Sequence, residues 1–439
     1  MVCRERYPVR KSVSVAILLI MVLISGCTER DLSDIPDSVS IDPEAGTLTI
    51  RLIGNQPGSK TDNVLTRKIE AFQSSHPEVK INIQWTQYYG PRDIPTWMNV
   101  REPAELYEDD SKEPADLYEL VPYQMQELFR LGKIETLNMN EGIYRDYVLT
   151  SEDGAVLGVK TKINPLILYY NADIFHTVGL ELPDGSWDLQ RLNDAIAALK
   201  AFGYDVYVPL SPYTLEWAAD LHGWKITGVD GTYRGYIDSE ATAMAAEWLA
   251  GIHEMIDGYG AKPPMPYHLI ENRWALAIDY AFDFYPGGAN NYETIAQRNP
   301  NIGIAALPGQ GGSANPAKIS GLAIASKSPN KSLAMDLLRY LVGDGDSYYT
   351  DIHLLMLPMY GYDMKEYVNE ERFSTVTEEM KRAVPASLYM HEKPTHVSYS
   401  YILTRLPEPL KAIREGQPAK EQLERYAMEL ESQSATAMR

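Results

Sequence analysis

Apolar side chains recur at every second position in some stretches and at every third or fourth in others, and the changes of period divide the chain into elements. Leu48, Ile50 and Leu52 alternate with polar neighbours from Thr47 until Gly54-Asn55-Gln56-Pro57-Gly58 breaks the run, which predicts a strand. A helix is predicted from about Asp62, a residue suited to cap it, with Leu65, Ile69 and Phe72 on one face and His76-Pro77 ending it. Val79, Ile81, Ile83 and Trp85 then alternate as a second strand. Strand, helix, strand in this order predicts an α/β domain with a parallel sheet. Downstream, Leu166 to Tyr170 reads as a short strand, and Trp187-Asp188 opens a helix with Leu189, Leu192, Ile196 and Leu199 facing inward. Asn301 to Ala305 and Ile319 to Ala325 read as further strands, and Ser328-Pro329-Asn330 introduces a helix carrying Leu333, Leu337 and Leu341. No repeat with a period of about 20 to 50 residues is present, which excludes a solenoid.

The first 46 residues do not share this patterning. Arg4, Arg6, Arg10 and Lys11 precede an apolar run from Val13 to Ile24, and Ile24-Ser25-Gly26-Cys27 follows. The run is shorter than the roughly 20 residues of a transmembrane helix. It resembles a bacterial lipoprotein signal peptide, residues 1–26, which implies cleavage before Cys27 and a diacylglyceryl thioether on its sulfur. Two acyl chains suffice for stable anchoring, so the expected location is the outer face of the cytoplasmic membrane. Residues 27–45, with six Asp or Glu and two Pro after the cysteine, are expected to form a flexible tether.

Charge and cysteine content narrow the exported part. Its loss of four basic residues and one acidic one from the signal takes the formal net charge from −20 to −23. So acidic a chain repels phosphate backbones, which argues against nucleic acid as a partner. Cys3 lies in the signal and Cys27 carries the lipid, so no disulfide is expected. The remaining length, about 410 residues, exceeds one core and predicts two domains. Tyrosine dominates the aromatics, 30 against 7 Trp and 7 Phe, and offers a hydroxyl beside an apolar face.

The order of segments resembles the extracellular solute-binding proteins of ABC importers, in the branch that includes maltodextrin-binding proteins. The resemblance is carried by Ala71 to Pro77, Pro114-Ala115-Asp116-Leu117-Tyr118, Gly132 to Leu137, Gly158-Val159, and Leu168 to Phe175 with Gly179-Leu180, Pro183 and Trp187. It continues through Asn272 to Ile278, Ile302 to Pro308, Gly321 to Ile324 with Ser328 to Lys331, and Leu357-Pro358. It implies an α/β, two-lobed periplasmic-binding-protein-like fold of type II, each lobe a parallel-type sheet flanked by helices. Crossings of the chain are expected near Lys160 to Asn164 and Lys318 to Ala325. Lobe one would comprise residues 46–163 plus 319–345, and lobe two residues 164–318 plus 346–439, with Leu406 to Tyr426 packed on lobe two. The implied function is a lipid-anchored, non-enzymatic, monomeric receptor without cofactor or bound metal, capturing a mono- or oligosaccharide and passing it to membrane permease subunits. The stretch Pro91 to Glu113 has no counterpart in that pattern, and Ile319-Ser320-Gly321 stands where relatives often carry a Gly-Gly pair.

A sugar presents apolar patches beside hydroxyls, so its receptor needs flat aromatic faces next to polar side chains. Candidate faces are Tyr213 and Trp217, Phe282 and Phe284, whose positions resemble a site segment of the maltodextrin-binding relatives, and Tyr399 and Tyr401. Asn55, Gln56, Tyr123, Gln124, Asn164 and Asp283 are candidate hydrogen-bonding partners. Trp217→Ala is expected to remove affinity and leave stability nearly intact.

Two other classes compete. A retaining glycosidase needs two carboxyls about 5 to 5.5 Å apart, for which Asp279 and Asp283 are the nearest suggestion; no metalloprotease, nucleophile-elbow or phosphate-loop string occurs. His391 and His396 read as surface residues rather than metal ligands, and Gly309-Gln310-Gly311-Gly312 as a turn. A sensor lipoprotein of the same fold, presenting ligand to a surface signalling receptor, is not separable from an importer's receptor by its residues.

Overall fold

The computed structural model describes residues 46–53, 64–86, 115–139, 145–151, 153–223, 225–228, 232–256, 274–282, 292–309, 314–343, 348–356, 371–385, 402 and 405–437, and Ala45–Arg439 form one compact unit. Cys27, Asn55, Gln56, Asp283, Phe284, Tyr399 and Tyr401 lie outside the described residues, as does Pro91 to Glu113.

The chain begins with β1 (Thr47–Ile53), α1 (Val64–Ser75), β2 (Lys80–Thr86), β3 (Leu117–Leu120), α2 (Pro122–Arg130), β4 (Val148–Thr150) and β5 (Val156–Asn164). It continues through β6 (Leu166–Asn171), α3 (Ala172–Val178), α4 (Leu189–Ala201), β7 (Asp205–Tyr207), α5 (Pro212–Asp220), α6 (Glu240–Met255), β8 (Trp274–Tyr280), α7 (Tyr292–Arg298) and β9 (Ile302–Ala305). Last come β10 (Asn315–Ile324), α8 (Lys331–Val342), α9 (Tyr348–Met356), α10 (Glu371–Lys381), β11 (Ala383–Pro385), α11 (Pro407–Arg414) and α12 (Ala419–Ala437). Local chemistry fixes several of these ends. The Asp188 carboxylate accepts the Arg191 N–H at 2.8 Å and opens α4, whose Leu192, Ile196 and Leu199 are buried. Asn171 caps α3 by accepting from the N–H groups of Asp173 and Ile174, and Gly179 at φ 79° closes that helix in the left-handed region.

Two sheets result. The first runs β2-β1-β3-β10-β5-β4 with β11 beside β10, and the second runs β7-β8-β6-β9. Both are mixed rather than all parallel. β1 pairs in parallel with β2 and β3, whereas β10 is antiparallel to β3 and β5; in the second sheet β6 is antiparallel to β8 and β9. The reason is the route of the chain. A strand that returns from the other sheet enters beside its neighbours without a crossover helix, so it can run against them.

The chain leaves the first sheet at Asn164 and has re-entered it by Asn315, ahead of the Lys318 to Ala325 stretch expected to carry the return. Nor does residue 346 begin a segment given over to the second sheet. α9 packs on β5 and α1, because its buried Tyr348 and Ile352 belong to the core around the first sheet. α11 and α12 pack on α6, and their Leu410, Leu423, Tyr426 and Leu430 join the core of the second sheet.

The pleat of the second sheet divides its residues between two cores. Leu166 and Leu168 of β6 face the helical layer of α4, α5 and α6, while Ile167 and Tyr169 between them join the core that also contains β1, β3, β5 and β10. Ala277 on β8 and Ile302 and Ile304 on β9 take the same side as Ile167. One hydrophobic core is therefore continuous from the first sheet to one face of the second. Among the described residues no helix is long and apolar enough to cross a membrane.

Candidate functional site

Polar and aromatic side chains from both sheets meet where the two sheets adjoin. Lys318 on β10 belongs to the first sheet, but its ammonium lies 3.6 Å from the centroid of the Tyr280 ring at the end of β8 and 6.0 Å from that of Tyr213 on α5. The two tyrosine rings meet edge to face, with centroids 5.2 Å apart and planes at 88°. Ser211 positions Tyr213: its hydroxyl accepts the Thr214 N–H at 3.2 Å and starts α5, with Pro212 in the first turn. A cation over a tyrosine face is favourable by about 0.5–2 kcal/mol depending on its exposure to water. The arrangement joins an element of one sheet to two elements of the other.

Beneath the junction sits a polar cluster that sequence reasoning missed. Glu119 on β3 has a side chain fully removed from solvent and forms an ion pair with Lys162 of β5 at 2.8 Å. Ser320 of β10 donates its hydroxyl to the same carboxylate at 2.8 Å. Three adjacent strands are thus tied by one acid. The signal was present, since Glu in the otherwise apolar Leu117-Tyr118-Glu119-Leu120 requires a partner if the strand is central. Glu119→Ala would leave the Lys162 ammonium, 21% exposed, without its buried counter-charge. Loss of about 3 kcal/mol is expected, because removing one partner of a buried pair leaves an uncompensated charge. Urea denaturation measures it, and a change below about 0.5 kcal/mol would show that water reaches this site.

The remaining candidates have other surroundings. Trp217 is fully buried in the core of the second sheet, edge-on to Trp248 with ring centroids 5.6 Å apart. Tyr213 is 1% exposed and Phe282 2%, the latter against Tyr292 and His353. Gln124 is buried, and its side-chain oxygen accepts the Val121 N–H at 3.1 Å, closing the start of α2. Asn164 is also buried and directs both ends of its carboxamide to the backbone of Phe282. Tyr123 lies on α2, with its side chain outside the described residues. The geometry therefore turns Trp217, Tyr213, Phe282, Gln124 and Asn164 to structural work and leaves the half-buried Tyr280 and Lys318 at the junction. No group of three or more metal-ligating side chains occurs among the described residues.

Known proteins place this geometry. Residues 69–350 match the family model described as bacterial extracellular solute-binding protein. Among solved structures, the chain is similar to the sugar-binding protein MalE of Xanthomonas citri (16% identity, 90% of this chain and 98% of that one, TM-score 0.67). It is similar also to a sugar transporter protein of Rhizobium etli in an open conformation (17% identity, 88% and 99%, TM-score 0.64). A third similar structure is an ABC substrate-binding protein of Listeria monocytogenes in complex with cycloalternan (14% identity, 88% and 98%, TM-score 0.60). No curated protein matches the sequence. The family model covers well over half of the chain, the two-sheet fold agrees with it over nearly the whole described length, and the chain belongs to the bacterial extracellular solute-binding protein family.

Proposed function

We propose that this protein is a lipid-anchored receptor that captures a mono- or oligosaccharide between its two lobes and delivers it to an ABC importer. The observation that carries the saccharide is the half-buried Tyr280 ring with Lys318 at the junction, held edge to face by the buried Tyr213, so that an apolar ring stands beside a donor. The names of the similar structures point the same way, since they include sugar-binding proteins and one complex with cycloalternan. Residues beside other elements complete the proposed site. Asn55 and Gln56 follow β1, Tyr123 opens α2, and Asp283 and Phe284 follow Phe282; Tyr399 and Tyr401 come from the segment before α11. Closure on the ligand shifts an equilibrium between open and closed forms by the ligand's differential affinity for the closed one. The closed form is then what the permease subunits recognise. The anchor on Cys27 would hold the receptor, a monomer, at the outer face of the cytoplasmic membrane.

A thermal-shift screen of mono- and oligosaccharides, with polyamines and phosphorylated metabolites as comparison sets, tests the ligand class. A saccharide at about one hundred times its dissociation constant is expected to stabilise the protein by about 2.7 kcal/mol, a rise of roughly 2 to 4 °C. A response confined to polyamines or phosphorylated compounds would keep the receptor and replace the saccharide.

A further inference from the structure

The crossings between the sheets are built alike. β5 and β6 are separated by Pro165 alone, whose ring fixes φ near −65°. On one side of it, the Asn164 carboxamide oxygen accepts the Phe282 N–H at 2.9 Å, and the Asn164 amide donates to the Phe282 carbonyl. On the other side, the Asn315 oxygen accepts the Leu166 N–H at 3.0 Å, and its amide donates to the Leu166 carbonyl at 2.8 Å. The Ala281 N–H donates to the Pro165 carbonyl at 2.9 Å between them. A carboxamide has the donor and acceptor of a peptide group, so each asparagine supplies a rung of ladder where two chain segments diverge. Both side chains are fully buried, so breaking a rung would strand donors and acceptors at about 1–3 kcal/mol each.

One rung is tied further. The second N–H of the Asn315 amide donates to Glu379 on α10 at 2.7 Å, and the other oxygen of that carboxylate pairs with Arg382 at 2.8 Å. The Asn315 N–H donates to the Arg382 carbonyl at 3.1 Å. Glu379 is 1% exposed. α10 packs against α9, which lies on the first sheet, and against β6 and β9 of the second. It therefore touches both halves while holding the crossing.

We infer that Asn164 and Asn315 are the pins about which the two lobes turn, and that Glu379 and Arg382 are positioning residues that fix the interlobe angle of the unliganded receptor by locking Asn315. The four backbone-directed bonds persist through the motion because their rupture costs more than rotation around them. The Glu379–Arg382 pair, 26% exposed on the arginine side, is the part that a substitution can release without emptying the core. This inference rests on the reading that solute is held between the lobes, but its test needs no solute.

Small-angle X-ray scattering of unliganded wild type, Asn315→Ala and Arg382→Gln measures the angle through the radius of gyration. Both variants are expected to shift it, and amide exchange at Leu166 is expected to quicken about tenfold in Asn315→Ala, as loss of one buried hydrogen bond implies. Leu249→Ala, in the core of the second sheet and away from the crossing, is the control that lowers stability and leaves the radius unchanged. Should Asn315→Ala not fold, Arg382→Gln decides alone. An unchanged radius in the folded variants would overturn the inference whatever the saccharide screen returns, and a silent screen with a shifted radius would remove the ligand class and keep the pins.

Discussion

Trp217→Ala is expected to lower the stability of the folded chain by about 3–5 kcal/mol, the range for deleting a large buried aromatic side chain, and to leave solute affinity within a few-fold of wild type. The reverse follows from the sequence, where a tryptophan beside Tyr213 and Glu216 reads as a sugar-stacking face. Burial decides between them. Trp217 is fully buried, and every residue from Pro212 to Ala219 is buried with it. A ring with no exposed face has none to offer a ligand. Trp217→Phe should cost much less, because the indole N–H has no hydrogen-bond partner among the described residues and most of the apolar contact survives. Thermal unfolding and a titration with whichever saccharide responds measure both quantities. With unfolding entropy of about 2.1 cal/mol/K per residue, the alanine variant should melt about 4 °C or more below wild type. A binding loss of a hundredfold with an unchanged melting point would return Trp217 to the site.

Amphipathic elements were legible because half of each is polar. Leu48, Ile50 and Leu52 alternate and are all buried, and Leu65, Ile69 and Phe72 of α1 follow the helical period into the same core. Asp188 announced α4 by the chemistry of its cap. The direction of the strands was not legible, since period two is the same in parallel and antiparallel ladders. That β10 runs against β3 and β5 depends on where the chain returns from, which no local pattern records.

The site was less legible than the fold for a related reason. α5 is buried all round, so it lacks the polar stripe that separates core from cleft residues, and its Tyr213 and Trp217 resembled ligand contacts. Asn164 looked like a free carboxamide, yet its partner is the backbone of Phe282, 118 residues away. Gln124 differs, because the third residue into a helix that begins with Pro122 is where a glutamine side chain returns to the cap N–H, and that signal was available. Lys318 and Tyr280 could not be paired from spacing at all. They meet only because β10 of the first sheet passes the end of β8 of the second.

Acid should destabilise this protein from about pH 6.5 downward, and two buried histidines are the cause. His353 is fully buried, with Tyr292 Oη at 2.6 Å from Nε2, Thr377 Oγ1 at 2.9 Å from Nδ1 and the Phe373 ring stacked 3.8 Å away. Burial holds its pKa well below the ordinary 6.5, and burial likewise brings His253 down to about 4. In the unfolded chain both imidazoles take a proton near 6.5, while the folded chain takes none until lower pH. Between those values the unfolded state binds more protons, so stability falls as pH falls, by about 1.4 kcal/mol per unit for each histidine. Together they give roughly 2.7 kcal/mol per unit near pH 5.5. Glu379 and Asp336 act in the opposite sense, since burial raises both carboxyls from their ordinary 4.5 and 3.8. The folded state takes up their protons first, which offsets part of the loss at the acid end. Urea denaturation at pH 7, 6 and 5 measures the slope. His353→Gln retains a donor and an acceptor but not the titration, and is expected to remove about half of it. A flat profile from pH 7 to 5, or a slope that His353→Gln leaves intact, would mean that His353 takes up its proton in the folded chain as easily as in the unfolded one.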